Sequence, residues 1–188
     1  MTQHSNLLSS ENSLLLVVDI QTKLTSVMPE GAAEDMQENS SRLIESANLL
    51  NIPVFATEQY PQGLGATVDS LKAKFNSDTV YFEKTGFSCC AADNFNATLQ
   101  KSARKQIIIA GQETHVCILQ TALELLQQGY QVHILEDVVC SRKAEHKFYA
   151  LQRMQQQGAT ISNFESVLFE WLQDSKHAHF SAISQLLR

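Results

Sequence analysis

Short, continuous apolar runs alternate along the chain with longer stretches in which apolar residues recur at helical spacing. The runs predict strands at residues 14–18, 53–57, 79–82, 106–110, 131–135 and 159–162. Helical periodicity predicts helices at 33–50, 91–102, 115–128 and 142–157, with two more at 165–173 and 180–187. Runs such as "LLLVV" and "IIIA" do not alternate with polar residues, as suits strands covered on both faces. Strand–helix alternation of this kind predicts a three-layer α/β/α domain with a parallel sheet. Gly129 and Gly158 fall where a helix C-terminus favours glycine. Residues 57–79 carry Pro61, Gly63 and Gly65 and read as a long loop with a short helix, a natural place for substrate contacts.

No repeat or Pro/Gly-rich linker divides the 188 residues, so residues 1–188 read as a single domain behind a polar lead-in at 1–12. That lead-in lacks the features of a signal or transit peptide, which sets the cytoplasm as the expected location. A net charge of -6 without any basic stripe argues against nucleic acid and anionic membranes as partners. The apolar runs are too short to span a bilayer. Four cysteines without zinc-type or secreted-scaffold spacing are expected to be reduced thiols.

In parallel α/β sheets ligands bind beyond the carboxyl ends of the strands. Asp19, Lys84, Cys117 and Asp137 all follow predicted strands there. At 100° per residue, Val116, Leu119, Ala122, Leu123 and Leu126 make an apolar stripe expected to pack on the sheet. Cys117 falls opposite it, in the first helical turn, where the dipole is expected to lower a thiol's pKa. A thiolate there needs a proton acceptor and a counter-charge. Asp19 is either that acceptor or a turn carboxylate; Lys84 is either the counter-ion or a solvated surface charge, with Lys23 its rival. Asp137, in "EDVVCSR", reads as a strand-to-helix turn residue. His115 lies two positions from Cys117, a spacing at which helical side chains do not face each other. His133 reads as a satisfied core residue, His177 and His179 as surface histidines.

The segments "LLLVVDIQ", "FEKTGFS" and "IIIAGQETHVCILQTALELLQQGYQVHILEDVVCSR" resemble the isochorismatase-like cysteine hydrolases, which include nicotinamidases and N-carbamoylsarcosine amidohydrolases. The resemblance runs from Leu14 to about Leu172. It implies a Rossmann-like, six-stranded parallel sheet of order 3-2-1-4-5-6, with the Asp19 and Cys117 strands adjacent. It also implies a triad of Asp19 as base, Lys84 as electrostatic partner and Cys117 as nucleophile. A cis Gln112–Glu113 bond would form an oxyanion hole from the Glu113 and Cys117 N–H groups. Gln21, Gln59, Tyr60 and Phe87 are expected to contact substrate, Gln21 by bracing the Asp19 loop.

Two departures from the family narrow the expectation. "TEQYPQGLGATV" holds none of the histidine of the nicotinamidase metal cluster, so neither metal nor other cofactor is expected. Isochorismatases cleave a vinyl ether without a thiol, so Cys117 favours acyl chemistry. The expectation is a hydrolase of a small amide or related acyl compound, acting through a thioester and assembled as a homo-oligomer. The alternatives are a catalytically silent scaffold for oligomerisation or partner binding, and a vinyl ether hydrolase.

Overall fold

A computed structural model describes residues 4–187, so the first three positions of the lead-in and Arg188 lie outside it. In chain order its elements begin with β1 (Ser13–Val18), α1 (Thr22–Thr25), α2 (Glu30–Leu49), β2 (Val54–Gln59), α3 (Pro61–Leu64) and α4 (Asp69–Lys72). They continue with β3 (Val80–Lys84), α5 (Phe95–Lys101), β4 (Gln106–Gln112), α6 (Leu119–Gln127) and β5 (Gln131–Cys140). The chain closes with α7 (Ala144–Gln156), β6 (Thr160–Ser162), α8 (Phe164–Leu172) and α9 (Phe180–Gln185).

The strands form one six-stranded sheet in the order β3-β2-β1-β4-β5-β6, with every pairing parallel. Successive strand residues point to opposite faces, and both faces are covered. Leu15, Val17, Ile108 and Ala110 pack with α2, α8 and α9, among them Met36, Leu43, Trp171 and Ile183. Leu14, Leu16, Val18, Ile107 and Ile109 pack with Phe95, Leu99, Ala122, Leu125 and Met154 of α5, α6 and α7. This double burial accounts for the unbroken apolar runs of β1 and β4.

The lead-in is partly structural. Leu8 is fully buried in the first of these cores, and Ser9 N–H donates to Gln106 Oε1 at 2.9 Å. The loop between β2 and β3 holds two short helices, α3 and α4, rather than the one expected. The helix expected at 91–102 is divided into a one-turn 3₁₀ segment, Cys89–Ala91, and α5. Strand β5 runs to Cys140, five residues past its expected end. The sequence pattern stops short because the acidic pair Glu136–Asp137 interrupts the apolar run, at a point where the pairing with β4 shifts between Ile109 and Gly111. Asp137 is therefore a strand residue, not a turn residue. Its carboxylate accepts the Phe164 N–H (2.9 and 3.1 Å) at the start of α8.

Gly111 explains how β1 and β4 come close enough to share a site. It pairs with Val18, and its φ is +124°. A Cβ there would lie 2.0 Å from the Val18 carbonyl oxygen, so only glycine fits.

Candidate active site

The carboxyl ends of β1, β3 and β4 bring Asp19, Lys84 and Cys117 into one buried cluster. Asp19 follows β1 with a left-handed φ of +51°, which turns the chain sharply away from the sheet. Its N–H donates to the Thr57 carbonyl at 3.1 Å, and its own carbonyl accepts from Gln112 Nε2 at 3.1 Å. Lys84 is the last residue of β3, and its Nζ donates to Asp19 Oδ2 at 2.7 Å. Both side chains are 0% exposed. The same Nζ donates to Gln59 Oε1 at 2.7 Å and to the Phe87 carbonyl at 2.9 Å. Burial alone would lower the Lys84 pKa, but the Asp19 charge and the nearby cysteines outweigh it and hold it above its ordinary value. Lys23 instead donates to the Gly63 carbonyl at the surface, which removes it as the site cation.

Cys117 lies in a wide turn, Thr114–Ile118, between β4 and α6. Ile118 N–H reaches back five residues to the Glu113 carbonyl. The Gln112–Glu113 bond is cis. The buried stripe of this segment is Thr114, Cys117, Ile118, Thr121, Ala122 and Leu125, whereas Val116, Leu119, Leu123 and Leu126 are partly exposed. Cys117 therefore belongs to the packed face, contrary to the helical-phase expectation. Polarity misled that reading because two threonines on the packed face have their hydroxyls satisfied. Thr114 Oγ1 donates to the Cys140 carbonyl (3.0 Å), and Thr121 Oγ1 accepts the Cys89 N–H (2.9 Å).

The expected low thiol pKa is also overturned. Burial pushes the Cys117 thiol well up, and the Asp19 carboxylate adds to this as a negative charge and as hydrogen-bond acceptor. Lys84 pulls the other way without prevailing. The raised pKa favours a neutral thiol, set against the Asp19 carboxylate.

Of the expected substrate contacts, two are spent on the protein itself. Gln21, fully buried, donates from Nε2 to the Gln59 carbonyl (3.0 Å) and to the Gly65 carbonyl. Its Oε1 accepts the Gln59 N–H at 2.7 Å. Gln59 is the last residue of β2 and holds Lys84 through Oε1, while its Nε2 donates to the Thr85 carbonyl at 2.7 Å. Both brace the site rather than line it. Tyr60 and Phe87 are 54% and 53% exposed. Tyr60 borders a cavity of about 270 Å³ with Glu83, Lys84, Thr85, Ala92 and Asp93. A hollow of about 510 Å³ beside α2, α4 and α9 is lined by none of Asp19, Lys84 and Cys117.

At the turn itself, Glu113 Oε2 accepts from Arg142 Nε and from the Arg142 N–H, both at 3.0 Å. Burial would raise the Glu113 carboxyl, but these bonds and the guanidinium charge hold it below its ordinary value. His115 faces away from Cys117: its Nδ1 lies 3.0 Å from Ser141 Oγ and its ring packs on His146. His133 is buried in β5, yet its Nε2 has no partner among the described residues, so it is not the satisfied core histidine expected. Two contributors were missed by reading the sequence, Thr57 and Cys89. Thr57 Oγ1 donates to Asp19 Oδ1 at 2.7 Å, and Cys89 Sγ lies 3.7 Å from that hydroxyl. A threonine ending the run expected at residues 53–57 was the available signal for the first; nothing in the spacing marked the second.

A doubly wound parallel sheet that gathers a carboxylate, an ammonium and a thiol at its strand ends defines the isochorismatase-like hydrolase fold. Residues 13–166 match the isochorismatase domain, and the chain belongs to that family. It is 41% identical over 182 residues to isochorismatase family protein 1A of Dictyostelium discoideum, covering 95% of this chain and 87% of that one. The MAR1 ribonuclease of Caenorhabditis elegans superposes with a TM-score of 0.90 at 37% identity, over 96% of this chain and 91% of that one. YcaC of Pseudomonas aeruginosa, solved with hexane-2,5-diol and covalent acrylamide, gives a TM-score of 0.90 at 26% identity, over 98% and 93%. Escherichia coli YcaC, an octameric hydrolase of unknown specificity, gives 0.88 at 25%, over 99% and 91%. Among the described residues no helix is long and apolar enough to cross a membrane.

Proposed function

We propose that the chain, acting as a single domain, is a metal-independent cysteine hydrolase of a small amide or related acyl compound. The observation that carries this reading is the fully buried Asp19–Lys84 pair with the Cys117 thiol against it. A buried ion pair is a weak source of stability, because desolvation offsets the attraction. Its retention beside a thiol suits chemistry better than architecture.

Asp19 accepts the Cys117 proton as the sulfur attacks the substrate carbonyl carbon. The developing oxyanion is received by the Glu113 and Cys117 N–H groups, a type of site in which one lost donor costs about 10²–10³ in rate. The C–N bond breaks, Asp19 protonates the leaving amine, and a thioester remains on Cys117. Water, deprotonated by Asp19, then releases the acid and restores the thiol. Lys84 stays paired with the Asp19 carboxylate between these steps. Tyr60 and Phe87 are the exposed side chains offered to substrate.

The covalent acrylamide of Pseudomonas YcaC and the hydrolase name of E. coli YcaC fit this chemistry, and the latter's octamer supports assembly of this chain as a homo-oligomer. Four free thiols suit a reducing cytoplasm. The ribonuclease name of the worm relative favours RNA as a second substrate class, against which the net charge of -6 counts.

The test is a panel of small amides, esters, thioesters, a vinyl ether and a defined RNA, assayed with wild type, Asp19→Asn, Cys117→Ser and Cys117→Ala. Turnover of an acyl compound that is lost in all three variants supports the proposal. RNA cleavage or vinyl ether hydrolysis that survives Cys117→Ala would replace it. No turnover of any kind would favour a scaffold.

A further inference from the structure

Thr57 grips Asp19 at two points. Its carbonyl accepts the Asp19 N–H at 3.1 Å, and its hydroxyl donates to Asp19 Oδ1 at 2.7 Å. The one hydroxyl proton is thereby spent, so Thr57 Oγ1 can only accept from the Cys89 thiol, 3.7 Å away. Cys89 is tied in turn to the Cys117 side of the site, since its N–H donates to Thr121 Oγ1 at 2.9 Å. Thr121 stands four residues after Cys117 on the same buried stripe. A one-way chain of donors thus runs from Cys89 to Thr57 to Asp19, and all its members are buried.

Lys84 already holds Oδ2, so Thr57 on Oδ1 leaves the carboxylate no freedom to rotate. Burial, and after it the Asp19 charge, push the Cys89 thiol up to about 12. Cys89 therefore stays a protonated donor through the neutral range. A valine would serve a buried strand at position 57 at least as well as a threonine. The hydroxyl is explained by the carboxylate it meets.

We infer that Thr57 and Cys89 are positioning residues for Asp19: Thr57 fixes the rotation of the carboxylate toward Cys117, and Cys89 fixes the direction of the Thr57 hydroxyl. This rests on Asp19 acting as the base for Cys117.

The readout is the second-order rate at which acrylamide modifies Cys117 between about pH 6 and pH 10, localised by mass spectrometry. Thr57→Val is expected to slow the reaction about ten-fold or more at neutral pH, the loss of one hydrogen bond to a charged group. It should also change the shape of the pH profile, because the carboxylate that takes the thiol proton has then lost a hydrogen-bond donor. Thr57→Ser, which keeps the hydroxyl, should stay within about two-fold of wild type, and Cys89→Ala should show a smaller loss that Cys89→Ser restores.

A folded Thr57→Val protein with the wild-type rate and profile would overturn the inference. Should that variant not fold, identical profiles for Cys89→Ala and wild type would overturn it equally. Asp19→Asn separates the two levels, with a loss of about 100-fold expected for a missing general base. A rate that depends on Asp19 but not on Thr57 or Cys89 refutes the positioning alone. A rate indifferent to Asp19 refutes the base itself and the positioning with it.

Discussion

Replacing Lys84 with methionine removes one member of an ion pair whose side chains are both 0% exposed, and the consequence follows from what is left behind. Asp19 keeps the Thr57 hydroxyl on Oδ1 but loses the ammonium 2.7 Å from Oδ2. Breaking a buried pair from one side costs about 3–5 kcal/mol, because the remaining charge is neither solvated nor paired. The Gln59 Oε1 and Phe87 carbonyl acceptors lose their donor as well. A domain of this size has about 5–15 kcal/mol in all, so Lys84→Met should be folded but close to its limit. Pairing it with Asp19→Asn removes the orphaned charge, and the double variant should be more stable than Lys84→Met alone. Lowering the pH should also restabilise Lys84→Met, since an unpaired buried carboxyl prefers its neutral form. Urea unfolding followed through Trp171, the single tryptophan and 1% exposed, reads all three proteins. A loss below about 1 kcal/mol for Lys84→Met, or a double variant no better than the single one, would mean that Asp19 is not left as an uncompensated buried charge.

Gly111→Ala should cost at least about 3 kcal/mol or abolish soluble expression, because φ is +124° and the new Cβ meets the Val18 carbonyl oxygen at 2.0 Å. Thermal unfolding of the purified variant checks this. Burial pushes the buried His133 down to about 4 from its ordinary 6.5. The unfolded chain therefore binds a proton that the folded one refuses, and stability falls as pH drops from 6.5 to about 4, by about 3 kcal/mol from this residue alone. The difference in urea stability between wild type and His133→Leu across that window measures it. Modification of Cys117 by iodoacetamide should keep rising beyond about pH 9.5, where an ordinary thiol of pKa about 8.5 levels off, because burial and Asp19 hold this thiol up. A plateau below about pH 8 would contradict this direction.

The sheet was legible because its strands are buried on both faces: "LLLVV" and "IIIA" have no other comfortable place. The strand-end rule then located Asp19, Lys84 and Cys117 without any knowledge of side-chain contacts. What was not legible depended on partners distant in sequence. The face of α6 was misassigned because a threonine counts as polar until its hydroxyl is seen to be satisfied, as Thr121 is by the Cys89 N–H. The expected low thiol pKa rested on the helix dipole, which burial and the Asp19 charge outweigh. Gln59 looked like a loop residue free for substrate, and only the register of β2 with β1 and β3 shows its side-chain amide consumed. The acidic pair at 136–137 ended β5 early on paper, whereas the shift in its pairing with β4 lets the chain carry it.

In the proposed reaction Cys117 carries the acyl group between two halves of a hydrolysis. Its most direct test is mass-spectrometric capture of that intermediate, by quenching the protein in acid during turnover of whichever acyl compound it accepts. The tryptic peptide 106–142 contains both Cys117 and Cys140, so fragmentation must locate the added mass. An acyl adduct is expected on Cys117, absent from Cys117→Ala and decaying on dilution into substrate-free buffer. Turnover without any adduct on Cys117, or with the adduct on Cys89 or Cys140, would contradict it.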